Sequence, residues 1–118
     1  RITAIDMNSG DHLWMIANAD TPDRIVNHPL LEGVDLPRTG IPTRSGILLT
    51  KTLLFQAEGT GAAGASPIFR AIDKQTGERL GAVEIPGMTR YGMSSWVHEG
   101  KQYVIIQLED GLAAMALP

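Results

Sequence analysis

One seven-residue pattern occurs twice in this chain, as Ala4-Ile5-Asp6-Met7-Asn8-Ser9-Gly10 and as Ala71-Ile72-Asp73-Lys74-Gln75-Thr76-Gly77. Its shared form is A-I-D-x-x-[ST]-G, and it restricts the backbone strongly. A strand ends at the Asp, whose carboxylate can accept hydrogen bonds from backbone N–H groups just downstream. The Gly can take φ > 0 and return the chain into the next strand. Each copy therefore predicts a tight β-hairpin, and two copies predict a repeat protein.

A second recurrence extends the first. Ser45-Gly46 opens a strand leading to Leu53-Leu54-Phe55-Gln56-Ala57-Glu58, and Gly92-Met93-Ser94-Ser95 opens one leading to Tyr103-Val104-Ile105-Ile106-Gln107-Leu108-Glu109. Phe69-Arg70-Ala71-Ile72-Asp73 has a counterpart in Leu112-Ala113-Ala114-Met115-Ala116. The offsets are about 45 residues, the size of one four-stranded propeller blade. With blade strands lettered A to D from the channel outward, residues 1–6 and 12–17 are C and D of one blade. Residues 46–50, 53–58, 68–73 and 79–85 are A to D of the next, and 92–97, 102–108 and 112–117 are A to C of a third. The expected fold is all-β: about two four-stranded antiparallel blades from the C-terminal end of a β-propeller. The boundaries are 1–17 for the end of one blade, 44–86 for a complete blade and 87–118 for a closing partial blade, all in one propeller domain. The third blade lacks a D strand, which propellers often take from their own N-terminus. Because Arg1 to Asp6 already reads as a strand, the chain is expected to be part of a longer protein, with the remaining blades or a second copy as its partners.

The two heptads lie 67 residues apart rather than about 45, and the excess is an insertion at 18–43. Asp20-Thr21-Pro22-Asp23 predicts a helix start, with Thr21 as cap and Pro22 at the first position. Arg24 to Asn27 give a helical turn or two, His28-Pro29 ends it, and Leu30-Leu31 are expected to anchor the loop on the blades.

Composition narrows the function classes. The chain has 118 residues, 10 basic and 13 acidic, with a net charge of −3, so it offers no basic footprint for nucleic acid. It has no cysteine, which removes disulfides and thiolate metal sites. No apolar stretch reaches the roughly 20 residues of a membrane-spanning helix. The 13 glycines and 7 prolines break the chain into short elements, as strands between turns require.

The first heptad extends to A-x-D-x-x-x-G-x-x-x-W, standing here as Ala4, Asp6, Gly10 and Trp14. This resembles the tryptophan-docking motif of pyrroloquinoline-quinone (PQQ) dehydrogenases, in which the Trp lies flat on the neighbouring blade. The second copy departs from it, with Gly81 at the Trp position. Pro42-Thr43-Arg44-Ser45-Gly46, Leu53-Leu54-Phe55, Gly100-Lys101-Gln102-Tyr103-Val104, Ala116-Leu117-Pro118 and the insertion are similar to the membrane-bound glucose-dehydrogenase branch of that family. The resemblance covers essentially the whole chain. It implies a periplasmic quinoprotein that oxidises an alcohol or sugar hydroxyl, with PQQ and Ca²⁺ at the propeller axis and a carboxylate as general base.

The resemblance places the base and metal ligands upstream, so no catalytic and no metal residue is assigned here, and the isolated chain is expected to be inactive. Cofactor-binding candidates are Arg44, Ser45 and Gly46, which stand where the family carries a Gly-Gly pair close to the site. Arg44 can pair with a cofactor carboxylate, against the reading of a solvated loop arginine. Ser94 and Ser95 are read as occupying the corresponding place in the last blade, as strand residues. His12, His28 and His98 share no metal-ligand spacing and are assigned structural or solvated roles. Trp14 and Trp96 are assigned to packing. Glu109 and Asp110 sit in one turn and do not form an acid/base pair. Gly59 to Gly64 lacks the Lys-Ser/Thr end of a phosphate loop and is read as a flexible connection between strands. The family's Gly-Gly-His-Gly loop is replaced by a direct link, Gln107-Leu108-Glu109-Asp110-Gly111. That departure keeps a second function open: a non-catalytic propeller used as a protein-interaction scaffold.

Overall fold

A computed structural model of the chain describes residues 1–59, 62–89 and 91–117. Its described residues form three antiparallel sheets. The first pairs β1 (Ile2–Ile5) with β2 (His12–Ile16). The second has the order β3 (Ile47–Leu49), β4 (Leu53–Glu58), β5 (Ile68–Asp73), β6 (Arg79–Glu84). The third has the order β7 (Met93–His98), β8 (Lys101–Gln107), β9 (Leu112–Ala116). Each strand pairs with its sequence neighbour, the up-and-down arrangement of propeller blades.

The two heptads fold alike down to their irregularities. The Asp6 carboxylate accepts from Asn8 N–H at 2.7 Å, and the Asp73 carboxylate accepts from Gln75 N–H at 2.8 Å and Thr76 N–H at 2.9 Å. Gly10 and Gly77 sit at φ of 81° and 76°, and each donates its N–H to the Asp carbonyl that opens the turn. A register shift follows the Ala in both copies, between Ala4 and Ile5 and between Ala71 and Ile72. The other hairpin turns follow ordinary rules. Glu99 and Gly100 both have φ > 0 and join β7 to β8, as a two-residue turn of the primed type requires.

Sheet alternation divides the core in two. One face of the central sheet presents Leu54 and Ile72 to Ile2, Trp14 and Ile16 of the first sheet. The other presents Phe55, Ala57 and Phe69 to Val104 and Ile106 of the third. Phe55 and Phe69 stack with ring centroids 5.1 Å apart. Each such side chain contributes about 1.5–3 kcal/mol on burial.

Trp14 fixes the spacing of the first two sheets. Its indole lies on the β5–β6 turn, so closely that a Cβ on Gly77 would fall 2.8 Å from Trp14 Cδ2. Its Nε1–H donates to the Lys74 carbonyl at 3.0 Å. Gly77 thus meets two demands with one residue: a positive φ and space for a ring.

The insertion differs from expectation in detail. The helix spans Asp23–Val26, and its cap position is Pro22, which has no N–H or side-chain oxygen to offer. Thr21 is not the cap: its hydroxyl accepts from Thr39 N–H at 3.1 Å across the loop. After the helix, His28 Nδ1 accepts from Leu30 N–H and opens a short 3₁₀ turn, Pro29–Leu31. Of the Leu30-Leu31 pair, Leu30 is 85% exposed and does not anchor the loop, while Leu31 is half-buried. Polar groups hold the loop.

Two consequences of the heptad are measurable. Trp14→Ala is expected to lower the unfolding free energy by about 3 kcal/mol. Gly77→Ala should lower it by about 2 kcal/mol through backbone strain and collision with the indole. Denaturant titration reads both, and Gly77→Ala should cost less in the Trp14→Ala background. Asp73 is held below the ordinary aspartate range, first by the Thr76 N–H, then by the Gln75 N–H, with the Thr76 hydroxyl adding and desolvation opposing. A folded-state pKa below the unfolded one means that this stabilisation is full above the unfolded carboxylate range, near 4, and is lost as pH falls through the folded value. Asp73→Asn should therefore flatten the acid limb of the stability–pH curve and leave its neutral limb parallel to that of the wild type.

Candidate functional site

The innermost strands, β3 and β7, lie side by side and are entered by two loops. The first loop is Pro42-Thr43-Arg44-Ser45-Gly46, which contains the three cofactor-binding candidates. Arg44 is exposed and makes no hydrogen bond or ion pair among the described residues. It borders an open cavity of about 480 Å³ together with Pro42, Thr43 and Tyr91. A guanidinium in this position can offer a two-pronged donor to a carboxylate or phosphate.

Ser45 and Gly46 are occupied differently. The Ser45 hydroxyl donates to Asn18 Oδ1 at 3.3 Å. A Cβ on Gly46 would lie 2.8 Å from the Tyr91 carbonyl oxygen. The missing side chain of Gly46 therefore lets two blades approach, and the room it leaves is already filled by protein. Of the three candidates, Arg44 is the exposed one, with no hydrogen bond or ion pair of its side chain among the described residues.

Asn18 holds the loop in place. It is 7% exposed. Its Oδ1 accepts from Gln56 Nε2 as well as from Ser45, and its Nδ2 donates to the carbonyls of Ile41 at 3.3 Å and Thr43 at 3.5 Å. Its own carbonyl accepts from Ile41 N–H at 2.7 Å. One side chain thus closes the base of the insertion and fixes the approach to β3. Arg79 clamps the same base, donating to the carbonyls of Ala17 at 2.8 Å and Ala19 at 3.2 Å and pairing with Asp20, which also pairs with Arg38. Burial lowers the Arg79 pKa from the usual arginine range, and the Glu58 charge opposes that shift. These bonds hold Ala19 at φ of 66°, a left-handed conformation that alanine rarely adopts. Beneath them, the 1% exposed Glu58 carboxylate accepts from Arg70 Nε at 2.7 Å.

Tyr91 was not among the candidates, although a signal for it exists. Thr43-Arg44-Ser45-Gly46 and Thr89-Arg90-Tyr91-Gly92 share the form T-R-x-G at an offset of 46 residues. The strand starts agree with that offset: β3 begins at Ile47 directly after Gly46, and β7 begins at Met93 directly after Gly92. Tyr91 therefore corresponds to Ser45 and Gly92 to Gly46. Ser94 and Ser95 correspond to Leu48 and Leu49, and not to the Arg44–Gly46 loop. The T-R-x-G spacing, rather than the chemistry of the residue before the glycine, identifies the equivalent residues.

The remaining candidates fall where packing or solvent claims them. His12 begins β2 opposite Ile5. His98 ends β7 opposite Lys101, its Nε2 3.9 Å from Glu99 with both side chains exposed. Trp96 stacks on Tyr103 across the β7–β8 ladder at 5.3 Å. In the Gly59–Gly64 stretch, Thr60 and Gly61 lie outside the described residues, as do Arg90 and Pro118. Among the described residues, no three His, Cys, Asp or Glu side chains cluster to hold a metal ion, and no helix is long and apolar enough to cross a membrane. Asn18→Ala is expected to cost about 2 kcal/mol of stability by stranding the Ser45 and Gln56 donors. It should also raise amide exchange at Ile41 and Thr43 while leaving the Trp14 fluorescence environment unchanged.

No curated protein and no solved structure matches the chain. A family model does: that of the glucose/ethanol/alcohol dehydrogenase β-propeller domain of the PQQ type matches residues 1–104. That span takes in the first heptad with its docking Trp14, the Arg44 loop, the second heptad and the strands of the third sheet as far as Val104. The chain belongs to the PQQ-dependent glucose/ethanol/alcohol dehydrogenase β-propeller family.

Proposed function

We propose that this chain supplies structural blades to a PQQ-dependent oxidoreductase that oxidises an alcohol or sugar hydroxyl, and that Arg44 is its contribution to cofactor binding. PQQ, when bound, supplies a quinone that takes up the hydride equivalent. The observation that carries the reading is an unpaired, exposed guanidinium at the approach to the innermost strand, beside an open cavity. PQQ is acidic, and the donor set here suits an anion. Asn18 and Arg79 hold the loop, so that Arg44 meets its ligand without first ordering the backbone. Ser45 and Gly46 position that loop rather than touch the ligand. The general base and Ca²⁺ ligands belong to blades outside this chain, which by itself performs no oxidation. The glucose-dehydrogenase branch and a periplasmic setting follow from the resemblance of the Pro42–Gly46 and Gly100–Val104 stretches.

The scaffold reading has one specific observation behind it. The link between β8 and β9 is a tight turn closed by Leu108 N–H on the Gly111 carbonyl at 2.8 Å. It leaves no place for the His-bearing loop that the family resemblance implies. A propeller without that loop can still present its surface to a protein partner.

The test is titration of the complete propeller containing this chain with PQQ, followed by absorbance. Arg44→Ala should raise Kd about tenfold or more, the loss expected for a charge-assisted hydrogen bond. Arg44→Lys should recover part of it, because the charge remains but the fork does not. An unchanged Kd removes Arg44 from the site. Absence of PQQ binding by the wild type favours the scaffold.

A further inference from the structure

Arg38 and Arg79 come from different parts of the chain and meet at one carboxylate. Arg38 lies in the insertion, and Arg79 begins β6. Arg38 Nε is 2.8 Å from Asp20 Oδ1, and Arg79 Nη1 is 3.2 Å from the same oxygen. Both guanidiniums border a cavity of about 300 Å³ whose other walls are Ile16, Ala17 and Gly77. It shares no wall residue with the cavity beside Arg44.

The charges around this cavity do not balance. Arg79 lies within electrostatic range of Arg38, Arg70, Asp20 and Glu58, so three guanidiniums face two carboxylates, an excess of one positive charge. Glu58 is committed to Arg70 by its 2.7 Å bond, which leaves Arg38 and Arg79 to share Asp20. Burial is the first cause of the lowered Arg79 pKa; Glu58 opposes it, the Arg70 and Arg38 charges add to it, and Asp20 opposes it last. A guanidinium does not give up its proton in a protein. The imbalance therefore persists as charge, and an anion relieves it.

The donors are held ready. Arg79 is 13% exposed, and its Nη2 is spent on the Ala17 and Ala19 carbonyls. Its Nε and both terminal nitrogens of Arg38 make no bond among the described residues. Arg38 is 53% exposed, yet one side chain pins its backbone on both sides. The Thr21 hydroxyl donates to the Pro37 carbonyl at 3.5 Å and accepts from Thr39 N–H at 3.1 Å. An anion entering the cavity meets two cations without first ordering the chain.

We propose that this cavity is a binding site for a small tetrahedral oxyanion of the phosphate or sulfate class, held between Arg38 and Arg79. Guanidinium forks match the spacing of such oxygens. Two guanidiniums that reach the cavity from separate elements call for an anion with more than the two oxygens of one carboxylate. Because Arg38 belongs to the insertion and Arg79 to the central sheet, the bound ion ties one to the other and stabilises both. The inference is independent of the cofactor reading, which concerns Arg44.

The test is calorimetric titration of the complete propeller containing this chain with inorganic phosphate, against sodium chloride at matched ionic strength. The expected result is saturable binding that slows amide exchange at Arg38 and Thr39. Arg38→Gln should raise Kd about tenfold, and Arg38→Lys should recover part of the loss. Arg44→Gln should leave phosphate binding unchanged. No saturable binding beyond that of chloride overturns the proposal, and so does an unchanged Kd in Arg38→Gln. A loss in Arg44→Gln as large as in Arg38→Gln also overturns it, because the anion then sits in the Arg44 cavity. Acetate bound as tightly as phosphate overturns the tetrahedral class. Failure here, with the effect of Arg44→Ala on PQQ binding intact, counts against this inference alone.

Discussion

The contact between the Trp14 indole and the Gly77 backbone sets the distance between the first two sheets, and the rest of the arrangement follows from it. A ring lying on a turn needs a residue with no side chain and a positive φ, and Gly77 satisfies both. The Nε1–H bond to Lys74 orients the ring as well as satisfying it. With that spacing fixed, Leu54 and Ile72 can close on Ile2 and Ile16. The opposite face of the central sheet is then free to pack Phe55 and Phe69 on the third sheet.

The insertion uses different physics. Its helix has four residues and no capping side chain, too short to stand without tertiary support. Its base is held instead by Asn18 and Arg79, which bind backbone carbonyls on both sides of the gap. Apolar packing fixes the sheets to one another, and buried polar bonds fix the loop that leads into β3. The loop is held in place by directional bonds, and Arg44 on it makes no hydrogen bond or ion pair among the described residues.

How much of this was legible from sequence depended on range. The heptad hairpins are local, and a reader of Asp, Thr and Gly at fixed offsets obtains their turns directly. Strand positions followed from those turns and from the repeat length. The Thr21 cap failed because Thr39, 18 residues away, takes its hydroxyl. The Leu30 anchor failed because polar bonds had already fixed the loop. The equivalence of Tyr91 with Ser45 was present in the T-R-x-G spacing, but it needed the strand starts at Ile47 and Met93 to stand above chance. Ser94 and Ser95 were misplaced because similar small residues were aligned without a strand start to fix the offset.

By itself the sequence determined the all-β repeat, the docking tryptophan and its loss at Gly81, because each unit is written in residues within a dozen positions of one another and the repeat is the recurrence of that local pattern. The tertiary structure decided what those features do. It placed Gly77 beneath Trp14, 63 residues away in the chain. It tied the Ser45 hydroxyl to Asn18, filled the space at Gly46 with the Tyr91 backbone, and left Arg44 exposed beside an open cavity. It brought Arg38 and Arg79 to the walls of one cavity. The reason is physical: turn chemistry acts through neighbouring backbone groups, whereas ring docking, polar clamps and clefts exist only where distant segments meet.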